Sequence, residues 1–394
     1  MTTPDAILGA DVVTEAIGWR HHLHRNPELA YCEHRTADFI ASLLEQFGIR
    51  VDRNIAGTGL VGTLKRGNGA RTIGIRADMD ALPITERSGA SHASSHTGVM
   101  HACGHDGHVA MLLAAARVCS RMTDLDGTVY FIFQPAEEGA GGARRMVEEG
   151  LFERFPCDAV YALHNWPALP AGTCMVQSGA VMAANAKFQI DITGRGCHGA
   201  MPHEGTDSLL AGCFLVTALQ SIVSRNLDPL EGAVLSATQI NAGDAWNAIG
   251  DACVIRGTTR WLSEHVGTTL EHRIKELAST VASGFGCHAT VDYERLFPAT
   301  VNDSAATQFL QDTIQQSGLD LKLASVPPTM GTEDFAVMLQ KVPGCYFWLG
   351  TGAGSATRRL HSPLYDFNDD VLPIGAALWV TLVRRTLAIS SYRG

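Results

Sequence analysis

The 394-residue chain is predicted to form an α/β protein that is interrupted by a second, ferredoxin-like module. Three observations predict this fold class. Near-continuous apolar strands alternate with helices in the outer parts of the chain, which is typical of a parallel sheet. Polar residues stand where those strands end, as in α/β proteins whose sites lie beyond the carboxyl ends of the strands. Near residue 185 the order of elements changes to β-α-β-β-α-β. The simplest account is an outer domain (1–184 and 297–394) with an inserted domain (185–296).

The outer domain begins with two helices of apolar periodicity, and Gly48 ends the second. The first predicted elements are helices at 11–25 and 34–47 and strands at 59–64 and 72–77. Asp78 and Asp80 leave the second strand. The loop M-H-A-C-G-H-D-G-H then opens an apolar helix, and the strand T-V-Y-F-I-F-Q ends at P-A-E-E-G. The apolar run D-A-V-Y-A-L ends at His164, and the chain finishes with the strand C-Y-F-W-L-G and an apolar helix.

The inserted module has a different order of strands and helices from the outer domain. The strand A-K-F-Q-I-D-I-T-G alternates apolar and polar residues, and an apolar helix follows it. Two further strands, a second helix and the strand H-A-T-V-D-Y-E complete the pattern. This order predicts the ferredoxin-like topology of the module.

Composition narrows the classes of function. Hydrophobic residues make up 46% and charged residues 18%, as in a soluble globular enzyme. The net charge of −10 and the lack of a Lys/Arg run argue against nucleic-acid or membrane partners. We see no signal peptide and no window of about 20 apolar residues. We therefore expect a cytoplasmic protein whose ten cysteines are mostly reduced.

Four polar features stand at predicted strand ends and could share one site. They are Cys103 with His105, Glu137 with Glu138, His164, and His361. Cys103 and His105 are two residues apart, so in extended chain both side chains leave the same face. Together the four features offer a thiolate, three imidazoles and up to two carboxylates. This donor set exceeds what one tetrahedral zinc needs and suits two metals.

The adjacent pair Glu137–Glu138 predicts different roles for its two carboxylates. Neighbouring side chains cannot share one direction in extended chain, so one carboxylate can bind metal while the other faces a metal-bound water. The second is then placed to take a proton from that water as general base. A solvated acidic turn is the alternative interpretation. The position directly after F-I-F-Q-P disfavours it.

Five motifs, in order, resemble the M20 metallopeptidase family, and most closely its amidohydrolase branch. That branch includes hippurate hydrolase, N-acyl-amino-acid amidohydrolases and plant auxin-conjugate hydrolases. The motifs are R-A-D-M-D-A-L-P, M-H-A-C-G-H-D-G-H, Q-P-A-E-E-G, A-L-H-N-W-P and L-H-S-P-L-Y-D-F-N-D. The resemblance runs from H-R-N-P-E-L-A near the N-terminus to the last motif. It implies a zinc-peptidase-like catalytic domain with an inserted lid and dimerisation domain.

The resemblance also implies residue roles. Two divalent metal ions per subunit would be held by a set of five ligands, with Cys103 in the bridging place. These ligands are Cys103, His105, Glu138, His164 and His361. Glu137 would be the general base and later the acid that protonates the leaving amine. Asp80 would orient a ligand. Asp78 stands where other branches have a ligand histidine, and we do not assign it to metal.

In the inserted module the resemblance implies three further site residues. His198 would reach the partner subunit's site and steady the developing oxyanion. Asn247 would contact substrate, and Arg260 would bind a carboxylate. This chain departs from the family pattern at Cys197, Ala248 and Gly250, which affects loop shape and substrate fit.

The predicted function is metal-dependent hydrolysis of the amide bond of an N-acyl amino acid by a homodimer or higher homo-oligomer. A dipeptidase or carboxypeptidase on the same scaffold is the runner-up. A metal-binding protein without catalysis is a third interpretation, which an intact Glu137 disfavours. The donor set admits zinc, manganese, cobalt or nickel.

Overall fold

The computed structural model describes residues 2–352 and 359–389. Eleven α-helices lie within these residues: α1 (Pro4–Leu8), α2 (Ala10–Arg25), α3 (His34–Gln46), α4 (His105–Arg121), α5 (Gly142–Glu148), α6 (Leu151–Arg154), α7 (Ser208–Ser221), α8 (Glu264–Gly284), α9 (Ser304–Gln316), α10 (Ala336–Leu339) and α11 (Leu372–Leu387). Sixteen strands lie within the same described residues: β1 (Arg50–Ile55), β2 (Gly59–Arg66), β3 (Thr72–Asp78), β4 (Gly127–Gln134), β5 (Ala159–Pro170), β6 (Thr173–Met175), β7 (Gly179–Met182), β8 (Ala184–Thr193), β9 (Cys197–His198), β10 (Ala233–Ala242), β11 (Ala248–Ile249), β12 (Ala252–Trp261), β13 (His288–Arg295), β14 (Thr300–Asn302), β15 (Lys322–Ala324) and β16 (Gly344–Gly352).

The chain divides into two compact units. The first comprises 1–179, 301–327 and 334–394, and the second comprises 180–300 and 328–333. The sequence predicts an inserted domain at 185–296, without the short segment 328–333. That segment joins the second unit through a backbone bridge from Thr329 to Met182 and through a hydrogen bond from the Arg260 Nε to the Met330 carbonyl.

The first unit is built on an eight-stranded sheet in the order β1-β2-β4-β3-β5-β16-β6-β15. Its centre, β4-β3-β5-β16, is parallel. The sheet as a whole is mixed, because β2 runs antiparallel to both β1 and β4, and β6 runs antiparallel to β16. The expectation of a parallel sheet is therefore wrong outside the centre. Apolar runs of buried strands do not encode strand direction, which explains the error.

The parallel centre positions the site. Strands β3 and β4 are buried along nearly their whole length, β5 is buried from Val160 to Asn165, and α4 is buried on almost every face. Because parallel strands run the same way through a sheet, the residues that follow β3 and β4 lie beside His164 of β5. The sequence predicts that this last strand ends at His164, but β5 continues to Pro170. The N-terminus of α4 lies beside His164 too, since His105 and His164 stack edge to face at 5.8 Å between ring centroids.

The second unit contains a four-stranded antiparallel sheet in the order β10-β12-β8-β13. Numbered along the chain, its strands lie in the order 2-3-1-4, and α7 and α8 connect them in the β-α-β-β-α-β sequence. This topology is ferredoxin-like, as the pattern of elements predicts. The apolar faces of α7 and α8 pack on the sheet and form a core separate from that of the first unit.

Candidate metal centre

The turn before α4 brings a thiol and an imidazole to the sheet edge. Gly104 has φ 90°, in the left-handed region that favours glycine. A Cβ at this position would lie 2.3 Å from Asn165 Oδ1 and 2.5 Å from the Tyr365 hydroxyl. Only glycine therefore lets the chain turn here, and the turn places Cys103 and His105 on either side of it. Both side chains are buried.

The ring of His105 is oriented by the segment that follows β3. Its Nδ1 donates to the Asp80 carbonyl at 2.9 Å and lies 3.3 Å from Asp80 Oδ1. The other ring nitrogen, Nε2, is buried and has no hydrogen-bond partner among the described residues. An imidazole held at Nδ1 with a free Nε2 is the usual arrangement of a metal-ligating histidine.

His164, near the middle of β5, is oriented in the same way. Its Nδ1 donates to the Asn165 carbonyl at 2.7 Å. Its Nε2 lies 3.4 Å from Cys103 Sγ. Two donor atoms that bind one ion at 2.0–2.3 Å are separated by about this distance.

Glu138 and His361 complete the predicted ligand set. Glu138 Oε1 lies 3.2 Å from His361 Nε2 and 4.0 Å from His105 Nε2. The His361 backbone N–H donates to the Ala102 carbonyl, which ties this distant segment to the cysteine loop. Donor atoms of Cys103, Glu138 and His361 all lie within 4.8 Å of one another. The structure therefore brings the five proposed ligands into one contiguous cluster.

Glu137 lies in this cluster as well. Its carboxylate and donor atoms of His105 and Glu138 lie within 4.8 Å of one another, and only 8% of the residue is exposed. The two adjacent glutamates thus both reach the donor cluster, although in extended chain they would point apart. The backbone is not extended at this point, because Ala136 has φ 56°.

The electrostatics of the cluster suit divalent cations. Burial, together with the charges of Glu138 and Glu137, raises the pKa of the Cys103 thiol well above its usual range. Burial opposes a charge on His105, yet the carboxylates of Asp78 and Asp80 raise its pKa to about 10. Bound cations reverse both effects, since they stabilise a thiolate and take the imidazole lone pair. The donors also have the right types, because thiolate, imidazole and carboxylate together suit borderline divalent metals.

A model of peptidase family M20/M25/M40 matches residues 74–385, which include the four proposed ligands from Cys103 to His164 and the fifth at His361. The chain belongs to this family.

Relatives of this M20 protein carry names that describe amide hydrolysis. It is 37% identical to hippurate hydrolase of Campylobacter jejuni, over 93% of this chain and 95% of the relative. It is 39% identical to an N-acetyl-L-cysteine deacetylase of Bacillus subtilis, over 86% of this chain and 80% of the relative. Among solved structures it is similar to a dinuclear metal-binding peptidase of the M20 family from Bacillus subtilis. That match has a TM-score of 0.85 at 31% identity and covers 96% of this chain and 99% of the other.

Two further residues of the M20 protein lie in the cluster, and the sequence interpretation left them out of the ligand set. Asp78, His108, His105 and His164 offer donor atoms within 4.8 Å of one another. His108 Nδ1 donates to Asp78 Oδ1 at 2.6 Å, and Arg76 donates to the other oxygen at 2.7 Å. Both Asp78 oxygens thus accept from nitrogen donors, which agrees with leaving Asp78 unassigned. The sequence could have indicated that His108 lies near the site, because it follows His105 by three residues and so shares the same face of the helix.

The structure brings two of the three proposed site residues of the second unit together. His198 on β9 pairs with Ala248 on β11, and the Gly199 N–H donates to the Asn247 carbonyl at 2.7 Å. His198 and Asn247 are both exposed. Arg260 lies apart on β12, half-buried, with its Nε bound to the Met330 carbonyl.

The tautomer of His198 follows from its one local hydrogen bond. Its Nδ1 accepts from the Ala200 backbone N–H at 3.1 Å. In the neutral ring the proton therefore lies on Nε2. This M20 protein thus presents an exposed imidazole N–H donor from its second unit.

Proposed function

We propose that this M20 protein hydrolyses the amide bond of N-acyl amino acids and releases a carboxylic acid and a free amino acid. The observation that carries the proposal is the position of Glu137, a second carboxylate beside the complete set of proposed ligands. A site that only binds metal has no need of it. The names of the relatives, hippurate hydrolase and N-acetyl-L-cysteine deacetylase, support the substrate class.

The ligands of two divalent cations would be the five residues of the cluster. They are Cys103, His105, Glu138, His164 and His361. When bound, such cations polarise the amide carbonyl and lower the pKa of water at the site. Zinc, manganese, cobalt and nickel all suit these donors. Asp80 would hold His105 by accepting from its Nδ1, which keeps Nε2 directed into the cluster.

Glu137 would move the proton. Its carboxylate accepts a proton from the water that attacks the amide carbon, and it returns this proton to the leaving nitrogen. Because the residue is largely buried, bulk water does not compete for that proton. His198 would donate its Nε2–H to the carbonyl oxygen as negative charge develops there. Asn247 and Arg260 would bind the amino-acid part of the substrate, with Arg260 on its carboxylate.

We further propose a homodimer, or a higher homo-oligomer, in which His198 serves the partner's site. Helix α7 supports an interface in the second unit. Its inner face is buried, whereas Leu209 and Phe214 on the other face are 46% and 56% exposed. The neighbouring β10 is an edge strand of its sheet and exposes Ile240. An exposed apolar helix face beside an open strand edge is a surface that association buries.

The same helix has a second property that association explains. Contrary to the sequence expectation of no such window, the helical segment Ser208–Asn226, which contains α7, is long and apolar enough to cross a membrane by length and composition, and a third of its most apolar window is buried. It packs on the sheet of the second unit through Ala211, Leu215 and Leu219. We therefore attribute its outer apolar face to a second copy of the chain.

The test is a substrate panel with metal-loaded enzyme. Hippurate and N-acetyl amino acids are compared with dipeptides of the same C-terminal residue that carry a free α-amino group. Higher kcat/KM for the acylated compounds supports the proposal. Cleavage confined to free dipeptides would instead indicate a dipeptidase, and a metal-loaded sample inert toward the whole panel would indicate binding without catalysis.

A further inference from the structure

The turn that carries Glu137 has an unusual backbone. After β4 ends at Gln134, Ala136 has φ 56°, in the left-handed region that residues with a Cβ rarely adopt. The Ala136 carbonyl accepts from the Gly142 N–H at 3.0 Å, which closes the turn. Such a conformation persists only where its surroundings enforce it.

Two buried carboxylates hold the backbone on either side of Glu137. Glu33 Oε1 accepts from the Ala136 N–H at 2.9 Å. Asp80 Oδ2 accepts from the Glu138 N–H at 3.1 Å. The peptide group that precedes Ala136 and the one that follows Glu137 therefore each donate to a carboxylate, which forms the stronger class of hydrogen bond when it is ionised.

Helix capping does not explain the burial of Glu33. It precedes α3 at the N-cap position, yet its side chain accepts no hydrogen bond from that helix. Its carboxylate is 0% exposed and is turned toward the turn after β4, where its second oxygen accepts from the Thr58 hydroxyl at 2.6 Å. Burial of a carboxylate is costly, and here it also raises the pKa of Glu33. The contacts that this arrangement secures are those to the Ala136 N–H and to the Thr58 hydroxyl, and the first of them lies in the turn that carries Glu137.

We propose that Glu33 is a positioning residue for hydrolysis: it holds Ala136 in the left-handed conformation and so aims the Glu137 carboxylate. This inference rests on the proposed role of Glu137 as general base. Glu33 is not one of the residues of the donor cluster. Its effect should therefore appear in the catalytic step and leave the metal content and substrate binding alone.

Three single variants test this role, with kcat, KM and metal content measured for each. Glu33→Met has similar length but no acceptor, and we expect kcat to fall about 10- to 100-fold, as for a misplaced catalytic group. Glu33→Gln keeps an oxygen that can accept from the Ala136 N–H, so it should retain most of the wild-type kcat. Glu28→Met is the matched control. That carboxylate also accepts from a backbone N–H, but from Thr36 at the start of α3, and its loss should leave kcat within about twofold.

A double-mutant cycle separates positioning from general structural damage. If Glu33 acts through Glu137, then Glu33→Met should cause little further loss of residual kcat in the Glu137→Gln background. An equal loss in both backgrounds, a loss of metal, or a kcat equal to that of Glu28→Met would overturn the inference. If Glu33→Met does not fold, Glu33→Asp replaces it, because the shorter side chain withdraws the carboxylate from Ala136 and should show the same non-additivity.

The cycle also distinguishes the two proposals. Full activity of Glu137→Gln would remove the proposed base, and with it this inference. An inactive Glu137→Gln beside a fully active Glu33→Met would remove only the inference.

Discussion

At the scale of single residues, Glu137 and Glu138 have the same chemistry and different neighbours. Glu138 Oε1 lies between His361 and His105, so its charge is placed among metal donors. Glu137 joins the same cluster without being one of the five proposed ligands. The backbone N–H of Glu138 binds Asp80, and that of Ala136 binds Glu33, so the turn is held at two backbone positions.

The Glu137→Gln variant should therefore bind metal normally and have a much lower kcat. We expect kcat to fall by roughly 10²- to 10⁴-fold, because the amide cannot accept a proton from water. Metal analysis and steady-state kinetics on the same sample measure both properties. Glu138→Gln is the matched comparison and should lose metal as well as activity. The opposite pattern would show that the two roles are exchanged.

Cys103 provides a test that does not depend on turnover. Burial and the neighbouring carboxylates raise the pKa of the metal-free thiol, which slows its labelling, whereas a bound cation engages the sulfur directly and blocks labelling. We expect a thiol reagent to modify Cys103 slowly in the metal-loaded enzyme and faster after chelation. Cys213 is exposed and serves as the internal control, with labelling that is independent of metal. Equal labelling of Cys103 in both states would contradict its role as a ligand.

At the scale of elements, a buried arginine joins three separate segments around the site. Arg20 on α2 donates to Asp106 on α4 at 2.8 Å and also pairs with Asp366, in the segment that follows His361. Its side chain and that of Asp106 are completely buried. The network therefore ties the helix that begins at His105 to the chain segment that supplies the fifth ligand.

Arg20→Met should destabilise the protein strongly, because it leaves the buried Asp106 charge without its arginine. Breaking one side of a buried ion pair costs about 3–5 kcal/mol. Arg384→Met is the control. It breaks a pair with Asp124 in which Arg384 is 60% exposed, and such surface pairs contribute about 1 kcal/mol or less. Urea unfolding followed by tryptophan fluorescence measures the stability of both variants. Equal shifts of the unfolding midpoint would show that the buried Arg20 network stabilises the protein no more than the surface pair does.

The sequence predicts most of these elements because helical and strand periodicities are local properties. The ferredoxin-like module follows from the order of its elements, and the site edge follows from polar residues at strand ends. Strand direction at the sheet margins, the segment 328–333 and the contact of Glu33 with Ala136 depend on packing between distant parts of the chain. No short pattern in the sequence reports them. Asp78 shows the same limit, since its partners Arg76 and His108 are apparent only in the structure.

At the scale of the whole molecule, the residues with proposed roles are divided between the two compact units. The metal donors and Glu137 belong to the first unit, whereas His198 is an exposed donor of the second. The exposed apolar face of α7 supports association through that second unit. If His198 serves the partner's site, activity requires at least a dimer.

Subunit exchange between two inactive variants tests this arrangement. One variant is His198→Ala and the other is Glu137→Gln. In a mixed dimer, one site combines the intact Glu137 of the first chain with the intact His198 of the second, and the other site has neither. Random pairing of equal amounts makes half the dimers mixed, so roughly a quarter of wild-type activity should return, as two-fold symmetry requires. Each variant incubated alone is the control and should stay inactive. Exchange is verified independently by differently tagged chains that co-purify. Mixed dimers that form but show no activity would mean that His198 acts within its own chain or has no part in catalysis.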